Sequence, residues 1–335
     1  LLQTAILLPY KEKLRMRNIV LKMTARFLFL IVAGLSFICG CDKAGEEQPV
    51  TDSLSSFETA GASDEPVFDS KVKKVIILAG QSNAVGYTAK GHLYESPELF
   101  SAERLTAMSE GYDRIQIVFR NNSNTNTFRS ENSFKPVTFG YGLYKQTCFG
   151  PEVGLAEYLS KIYPEEDFYI IKCAAGGSSL HSDWNPLSSP GGRMYDELLI
   201  FTENEIRLLE KDGGHVEIIS FCWMQGEADT AYPSEYGDLF ESLIDKFESK
   251  FSDNMPENGM AVIQAGISRY WQGYAQINAV KEKYASDYEN GYYFSTYDLT
   301  YDQDNSDYAH YDAASMVILG NRFGEYTVKH LHQNR

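Results

Sequence analysis

The sequence predicts an α/β protein: a three-layer α/β/α sandwich around a mainly parallel sheet. Short, continuously apolar runs recur along the chain, the composition of strands buried on both faces. Longer amphipathic stretches with a helical period fall between them, and strict alternation of the two kinds is the signature of parallel βαβ units. The material is sufficient: 335 residues, 43% hydrophobic and 23% charged, can bury a large core. A formal charge of −16 disfavours nucleic acid and anionic membrane surfaces as partners.

In chain order, residues 27–39 form an apolar run behind Arg15, Arg17, Lys22 and Arg26. That is too short to span a bilayer comfortably but suits the core of a signal peptide. It closes on Ile38-Cys39-Gly40-Cys41, which resembles a bacterial lipobox with Cys41 as the lipidated residue. Residues 1–40 are therefore expected to be a lipoprotein signal peptide, with Met16 or Met23 as the true start. Residues 41–70, rich in Asp, Glu, Ser, Thr, Gly and Ala, read as a flexible tether, and residues 71–335 as the folded domain. An exported, cell-envelope lipoprotein of a bacterium, periplasmic or at the cell surface, follows; its membrane contact would be the anchor alone.

Within the domain, Val75–Ala79, Ile115–Phe119, Phe168–Cys173, Val216–Cys222, Met260–Ala265 and Tyr292–Tyr297 read as strands. Helices are expected near 152–163, 194–211, 235–251, 273–287 and 312–331; in the last, Ala313, Met316, Val317, Gly320, Phe323 and Gly324 repeat at helical spacing. The stretch 120–150 breaks the rhythm and reads as a long loop or insertion near the site. Cys148, Cys173 and Cys222 show no zinc spacing; Cys173 and Cys222 end apolar runs and read as core residues. Of the histidines, His330 and His332 lie in a polar tail and read as solvated.

Sheets of this kind bind ligands beyond the carboxyl ends of their strands. There the sequence places Gly80-Gln81-Ser82-Asn83, then Ala175-Gly176-Gly177-Ser178 ahead of Trp184, then Trp223-Met224-Gln225-Gly226-Glu227-Ala228-Asp229. Each is open to a plain reading: turn chemistry for the first, a loop needing left-handed backbone for the second, a polar network for the third. Near the C-terminus Asp307-Tyr308-Ala309-His310 precedes the last helix. An aspartate three residues before a histidine can bond one imidazole nitrogen while the other faces a serine.

Together, and in this order, the four blocks resemble the SGNH-hydrolase superfamily, in particular its sialate O-acetylesterase-like branch, which includes carbohydrate esterase family six. The resemblance spans about residues 73–330 and implies a flavodoxin-like sheet. It implies Ser82 as nucleophile, His310 as general base, Asp307 as its orienter, and an oxyanion hole from the Ser82 and Gly177 amides with Gln225 as third donor. Gln81, Asn83, Gly176, Glu227, Asp229 and Trp184 would support the site or meet substrate. No metal or organic cofactor is implied. The chain departs from the branch in two places: Ala84 stands where methionine is common, and Tyr311-Asp312-Ala313 follows the histidine.

The expected activity is a serine esterase that removes O-acetyl groups from a carbohydrate, an acetylated polysaccharide or an O-acetylated sialic acid, through an acetyl-enzyme. Trp184, Tyr270, Trp271 and Tyr274 are expected as stacking surfaces for sugars or as ordinary packing. Two rivals are a lipase- or thioesterase-like hydrolase with the same triad, and a non-catalytic carbohydrate-binding lipoprotein.

Overall fold

A run such as Val75-Ile76-Ile77-Leu78-Ala79 has no polar face to offer water, so it takes the middle of the sheet, where all five residues are fully buried. The computed structural model describes residue 69 and residues 71–122, 128–302 and 307–333; the side chains of Asp302 and Asp307 are outside the description. The signal-peptide, Cys41 and most of the tether assignments fall outside the described residues.

The chain runs β1 (Val72–Gly80), α1 (Ser82–Val85), β2 (Thr88–Ala89), α2 (Ala102–Glu110), β3 (Tyr112–Asn122) and β4 (Phe128–Val137). It continues through β5 (Cys148–Phe149), α3 (Glu152–Ile162), β6 (Phe168–Ala175), α4 (Arg193–Leu209) and β7 (His215–Met224). The last third holds α5 (Pro233–Lys250), β8 (Ala261–Ala265), α6 (Tyr274–Asp287), β9 (Gly291–Phe294), β10 (Tyr301–Asp302), β11 (Asp307–Tyr311) and α7 (Ala313–Gln333). Seven strands form one sheet in the order β4-β3-β6-β1-β7-β8-β9. Within this sheet, among the described residues, only the β3–β4 pair is antiparallel. The chain is thus an α/β fold with a mostly parallel sheet flanked by helices, as expected.

Packing explains two sequence features. The buried stripe of α7 meets α3 at Gly320 and Gly154, where a Cβ would overlap the Pro151 and Val317 carbonyls, so the two backbones approach closely. Cys173 and Cys222 are buried free thiols; burial raises both pKa values, that of Cys222 to about 12, so both act as small core residues.

Two expectations are corrected. The stretch 120–150 is not all loop, because β3 runs to Asn122 and β4 follows antiparallel to it. Only the last of the ten β4 residues is buried, and Arg129, Glu131 and Lys135 lie along it, so this edge strand has no apolar run to reveal it. His330 is buried, not solvated: α7 extends past it, Nε2 meets the Gly259 carbonyl at 3.1 Å and Nδ1 the Tyr292 hydroxyl at 3.2 Å. His332 likewise meets the Tyr163 hydroxyl at 2.8 Å.

Candidate functional site

The carboxyl ends of β1, β6 and β7 converge on one place. Gln81 N–H donates to the Met224 carbonyl at 2.9 Å, so the turn after β1 leans on the end of β7. Gly80 makes this possible with φ +144°; a Cβ there would overlap the Met224 carbonyl. Ser82 opens the single turn α1 and is buried to 7% exposure. Ala84, where the resemblance suggested methionine, is fully buried beneath it.

The Asn83 carboxamide links this turn to the C-terminal block. Its Nδ2 donates to the Ala309 carbonyl at 2.8 Å and to Glu227 Oε1 at 2.9 Å, while its Oδ1 accepts from Tyr311 N–H at 3.3 Å. A side chain is thus doing the work of a neighbouring strand, holding the peptide groups on both sides of His310. Tyr311 fixes the strand from below: its fully buried ring sends the hydroxyl to Thr296 Oγ1 at 2.9 Å, and its carbonyl accepts from Thr88 Oγ1 at 2.8 Å. Asp312 caps α7, Oδ1 accepting from Ser315 N–H at 2.8 Å. The departure Tyr311-Asp312 is therefore an anchor and a cap placed directly after the histidine. The Tyr87 ring covers the His310 ring face to face, centroids 4.7 Å apart and planes within 10°. Asp307 begins β11, but its side chain is outside the description.

On the other side, Gly177 adopts φ +67° in the turn after β6. The Gly176 N–H is spent on the Asn122 carbonyl at 2.9 Å. Ser178 Oγ accepts from Trp184 Nε1 at 2.7 Å, and Trp184 is fully buried edge-on to Trp223 at 5.1 Å. Trp184 consequently braces the glycine turn, the packing role that was one of its two expected readings. Trp271 is also a brace, Nε1 donating to the Glu227 carbonyl at 2.9 Å.

Asp229 gathers the turn after β6. Its carboxylate accepts from Ser179 Oγ at 2.7 Å and from the Leu180 and His181 N–H groups at 2.8 Å each, and also from Gln225 Nε2. Gln225 Nε2 faces the Ser178 carbonyl at 3.1 Å and Gln81 Oε1 at 3.3 Å as well. Three protein acceptors surround a group with two N–H bonds, so in this arrangement the amide braces the loops. Gln81 Oε1 completes the brace by accepting from the Gly226 and Ala228 N–H groups at 3.3 and 3.2 Å.

Glu227 is buried and its carboxyl pKa is raised by that burial, against the pull of its own backbone hydrogen bond, Lys281, Asn83 and His310. Lys281 was not singled out by sequence, yet its Nζ donates to the carbonyls of Ala265 at 2.7 Å and of Gln225. Tyr87 was also missed. The one signal for Lys281 was its place, four residues after Ile277, on the stripe of α6 that also buries Asn278.

The family profile described as carbohydrate esterase, sialic acid-specific acetylesterase (SASA), matches residues 72–329. Among solved structures, the chain is similar to NanS, at 15% identity and a TM-score of 0.55, covering 78% of this chain and 98% of that one. A protein of Arabidopsis thaliana is similar at 18% identity and a TM-score of 0.51, covering 77% of this chain and 98% of that one. At these identities both likenesses are of fold. No curated protein matches the sequence.

Proposed function

The chain belongs to the sialic acid-specific acetylesterase family of carbohydrate esterases, and from that premise we propose that Ser82 and His310 perform the ester chemistry on an acetylated carbohydrate. The observation that carries this is the Asn83 carboxamide, which binds the serine turn to both peptide groups flanking the histidine.

In the proposed reaction Ser82 Oγ attacks the acetyl carbonyl carbon while His310 takes its proton. The backbone N–H groups of Ser82 and Gly177 receive the negative oxygen. Collapse expels the sugar hydroxyl, which takes its proton from the imidazolium. Water, deprotonated by His310, then attacks the acetyl-enzyme; Ser82 is re-protonated and acetate leaves. Asp307 is the proposed orienter of the imidazole. Glu227 is proposed to support the base indirectly: its carboxylate accepts from Asn83, whose amide binds both peptide groups flanking His310.

A glycan substrate is supported by a run of rings beside the base. Tyr308 lies two residues before His310, hence on the same face of β11, and is 50% exposed. Its ring lies 4.7 Å from that of Tyr301, which lies 4.6 Å from that of Tyr270. Such rings can stack on sugars. Both acetylated polysaccharide and O-acetylated sialic acid suit this proposal, and Cys41 is the proposed site of a lipid anchor at the cell envelope.

The test is acetate release from a panel of acetylated glycans. The wild type is expected to turn over, while Ser82→Ala and His310→Ala each lose about 10⁴-fold or more in kcat. Undiminished turnover by Ser82→Ala removes the assignment; preference for long acyl chains over acetyl replaces it with a lipase-like activity. Loss of palmitate labelling in Cys41→Ser tests the anchor.

A further inference from the structure

Behind the proposed catalytic groups lies a cation that the mechanism leaves idle. Lys281 sits in α6 with its side chain fully buried. Its ammonium donates to the Ala265 carbonyl, the last of β8, and to the Gln225 carbonyl just past β7. The Gln225 carbonyl also accepts from the Tyr236 hydroxyl of α5 at 3.1 Å, and the Tyr236 ring lies 5.9 Å from Lys281 Nζ. The charged groups facing the ammonium are Glu227 and Asp229, both in the turn after β7. Among the described residues neither is within ion-pair distance, so the lysine serves them at a distance while bonding to neutral carbonyls.

We propose that Lys281 is a positioning residue of the esterase centre, whose charge holds the Gln225–Asp229 turn in place and keeps Glu227 an anion able to bind Asn83 and thereby hold the His310 strand. The inference rests on the proposed roles of Ser82 and His310. Its physical content is a chain of contacts. The ammonium fixes the Gln225 carbonyl; one residue on, Gly226 turns at φ +146°, and Glu227 then points at Asn83. A buried carboxylate stays ionised only where positive charge and donors compensate its lost hydration. Asn83 Nδ2 supplies a donor, and Lys281 supplies charge. Replace the lysine with a neutral side chain and Glu227 is free to take up a proton, becoming a poorer acceptor for Asn83. When the lysine instead loses its own proton to rising pH, Glu227 stays an anion, but its buried charge and that of Asp229 are no longer compensated and the turn they share loses its hold.

Burial lowers the pKa of Lys281 to about 7, with Glu227 and Asp229 opposing the drop. The proton is therefore present below about pH 7 and lost above it, inside the range over which an esterase is assayed. A neutral amine still has N–H groups for both carbonyls, so the change is one of charge more than of shape.

The experiment measures kcat and KM for 4-nitrophenyl acetate against pH for wild type, Lys281→Met and Lys281→Arg, with circular dichroism to confirm folding and Ser82→Ala as blank. Wild type is expected to lose kcat on an alkaline limb near pH 7–8. Lys281→Arg, which keeps its charge throughout, should move that limb upward. Lys281→Met should fall about tenfold in kcat with KM little changed and show no such limb, the size expected for one interaction lost in the transition state. Wild-type kcat and profile in Lys281→Met overturn the proposal, as does equal loss in both variants with an unmoved limb, which marks a purely structural lysine. Should Lys281→Met not fold, the wild-type and Lys281→Arg profiles decide, coincident limbs overturning it. A wild type no faster than the Ser82→Ala blank sinks the esterase centre itself, a result distinct from any of these.

Discussion

Two fully buried lysines flank the serine turn, and they are held in opposite ways. On the β6 side Lys172 is paired at 2.7 Å with Glu152, whose other oxygen accepts from Gly150 N–H at 2.9 Å. The same ammonium donates to the Val85 carbonyl at the end of α1 and to the Tyr141 carbonyl, at 2.9 and 3.1 Å. All three of its protons are used, and one acceptor is a charge. On the β7–β8 side Lys281 donates to two neutral carbonyls, and its acids stand off. Burial lowers both lysine pKa values, but at Lys172 the contact carboxylate and its hydrogen bond pull directly against the drop. The difference separates a clamp from a sensor. A buried cation in contact with its counter-ion fixes backbone; one that meets only dipoles is left responsive to pH.

The largest effect expected from this contrast is on folding. Lys172→Met leaves Glu152 buried without its partner and should cost about 3–5 kcal/mol in urea unfolding. Lys172→Met/Glu152→Leu should recover most of that loss, because a buried ion pair is often replaceable by apolar groups while half of one is not. A single-variant loss below about 1 kcal/mol would put the β6 lysine in the same class as an exposed pair and break the comparison.

A smaller and pH-dependent effect belongs to Lys281. Its folded-state pKa lies near 7, below the ordinary lysine value, so above pH 7 the unfolded chain binds the extra proton. The cost of burying the charge is therefore present in full below about pH 7 and is relieved as pH rises toward the unfolded value. Relative to Lys281→Met, the wild type should gain about 2 kcal/mol of stability between pH 6.5 and 8.5. Stability would rise over the interval in which activity is proposed to fall. A pH-independent gap between the two proteins would show that the lysine does not titrate there.

The contrast also marks what the sequence could disclose. Apolar runs and helical periods located six sheet strands and five long helices because burial on both faces, or on one stripe, is written in residue type. They missed β4, an edge strand with little to bury, and α2, whose nine residues bury only Leu105 and Met108. The motif residues were legible for a similar reason: the serine, glycine and glutamine blocks stood where a strand had just ended, and the histidine directly ahead of the last helix. Their partners were not. Asn83 read as turn chemistry, and nothing local could announce that its amide would bridge to residues more than two hundred positions away. Gln225 was an oxyanion candidate through resemblance alone, and nothing local announced the Asp229, Ser178 and Gln81 oxygens that surround its amide nitrogen. A lysine on a helix looks like a solvated charge until the carbonyls of two other strands are brought to it.

The smallest effect concerns Tyr87, one of the residues that join the two flanks. Tyr87 receives a contact from Cys148 Sγ at its carbonyl, 3.7 Å away, and the preceding Gly86 carbonyl accepts from Leu143 N–H at 2.8 Å. Its backbone thus belongs to the β6 side, the side Lys172 clamps. Its ring lies flat on His310, which the β7–β8 side holds through Glu227 and Asn83. The stack has two consequences: it limits the rotation of the imidazole, and it gives the imidazolium formed during acyl transfer an aromatic face. Cation–π stabilisation of this kind at a partly exposed site is worth about 0.5–1 kcal/mol, so Tyr87→Leu should lower kcat about two- to fivefold. Tyr87→Phe keeps the face and should keep the rate. If the ring acts by stacking on the charged form, its loss should appear in kcat with little change in KM for a small acetyl ester. Equal loss in Tyr87→Phe would assign the effect to the hydroxyl instead.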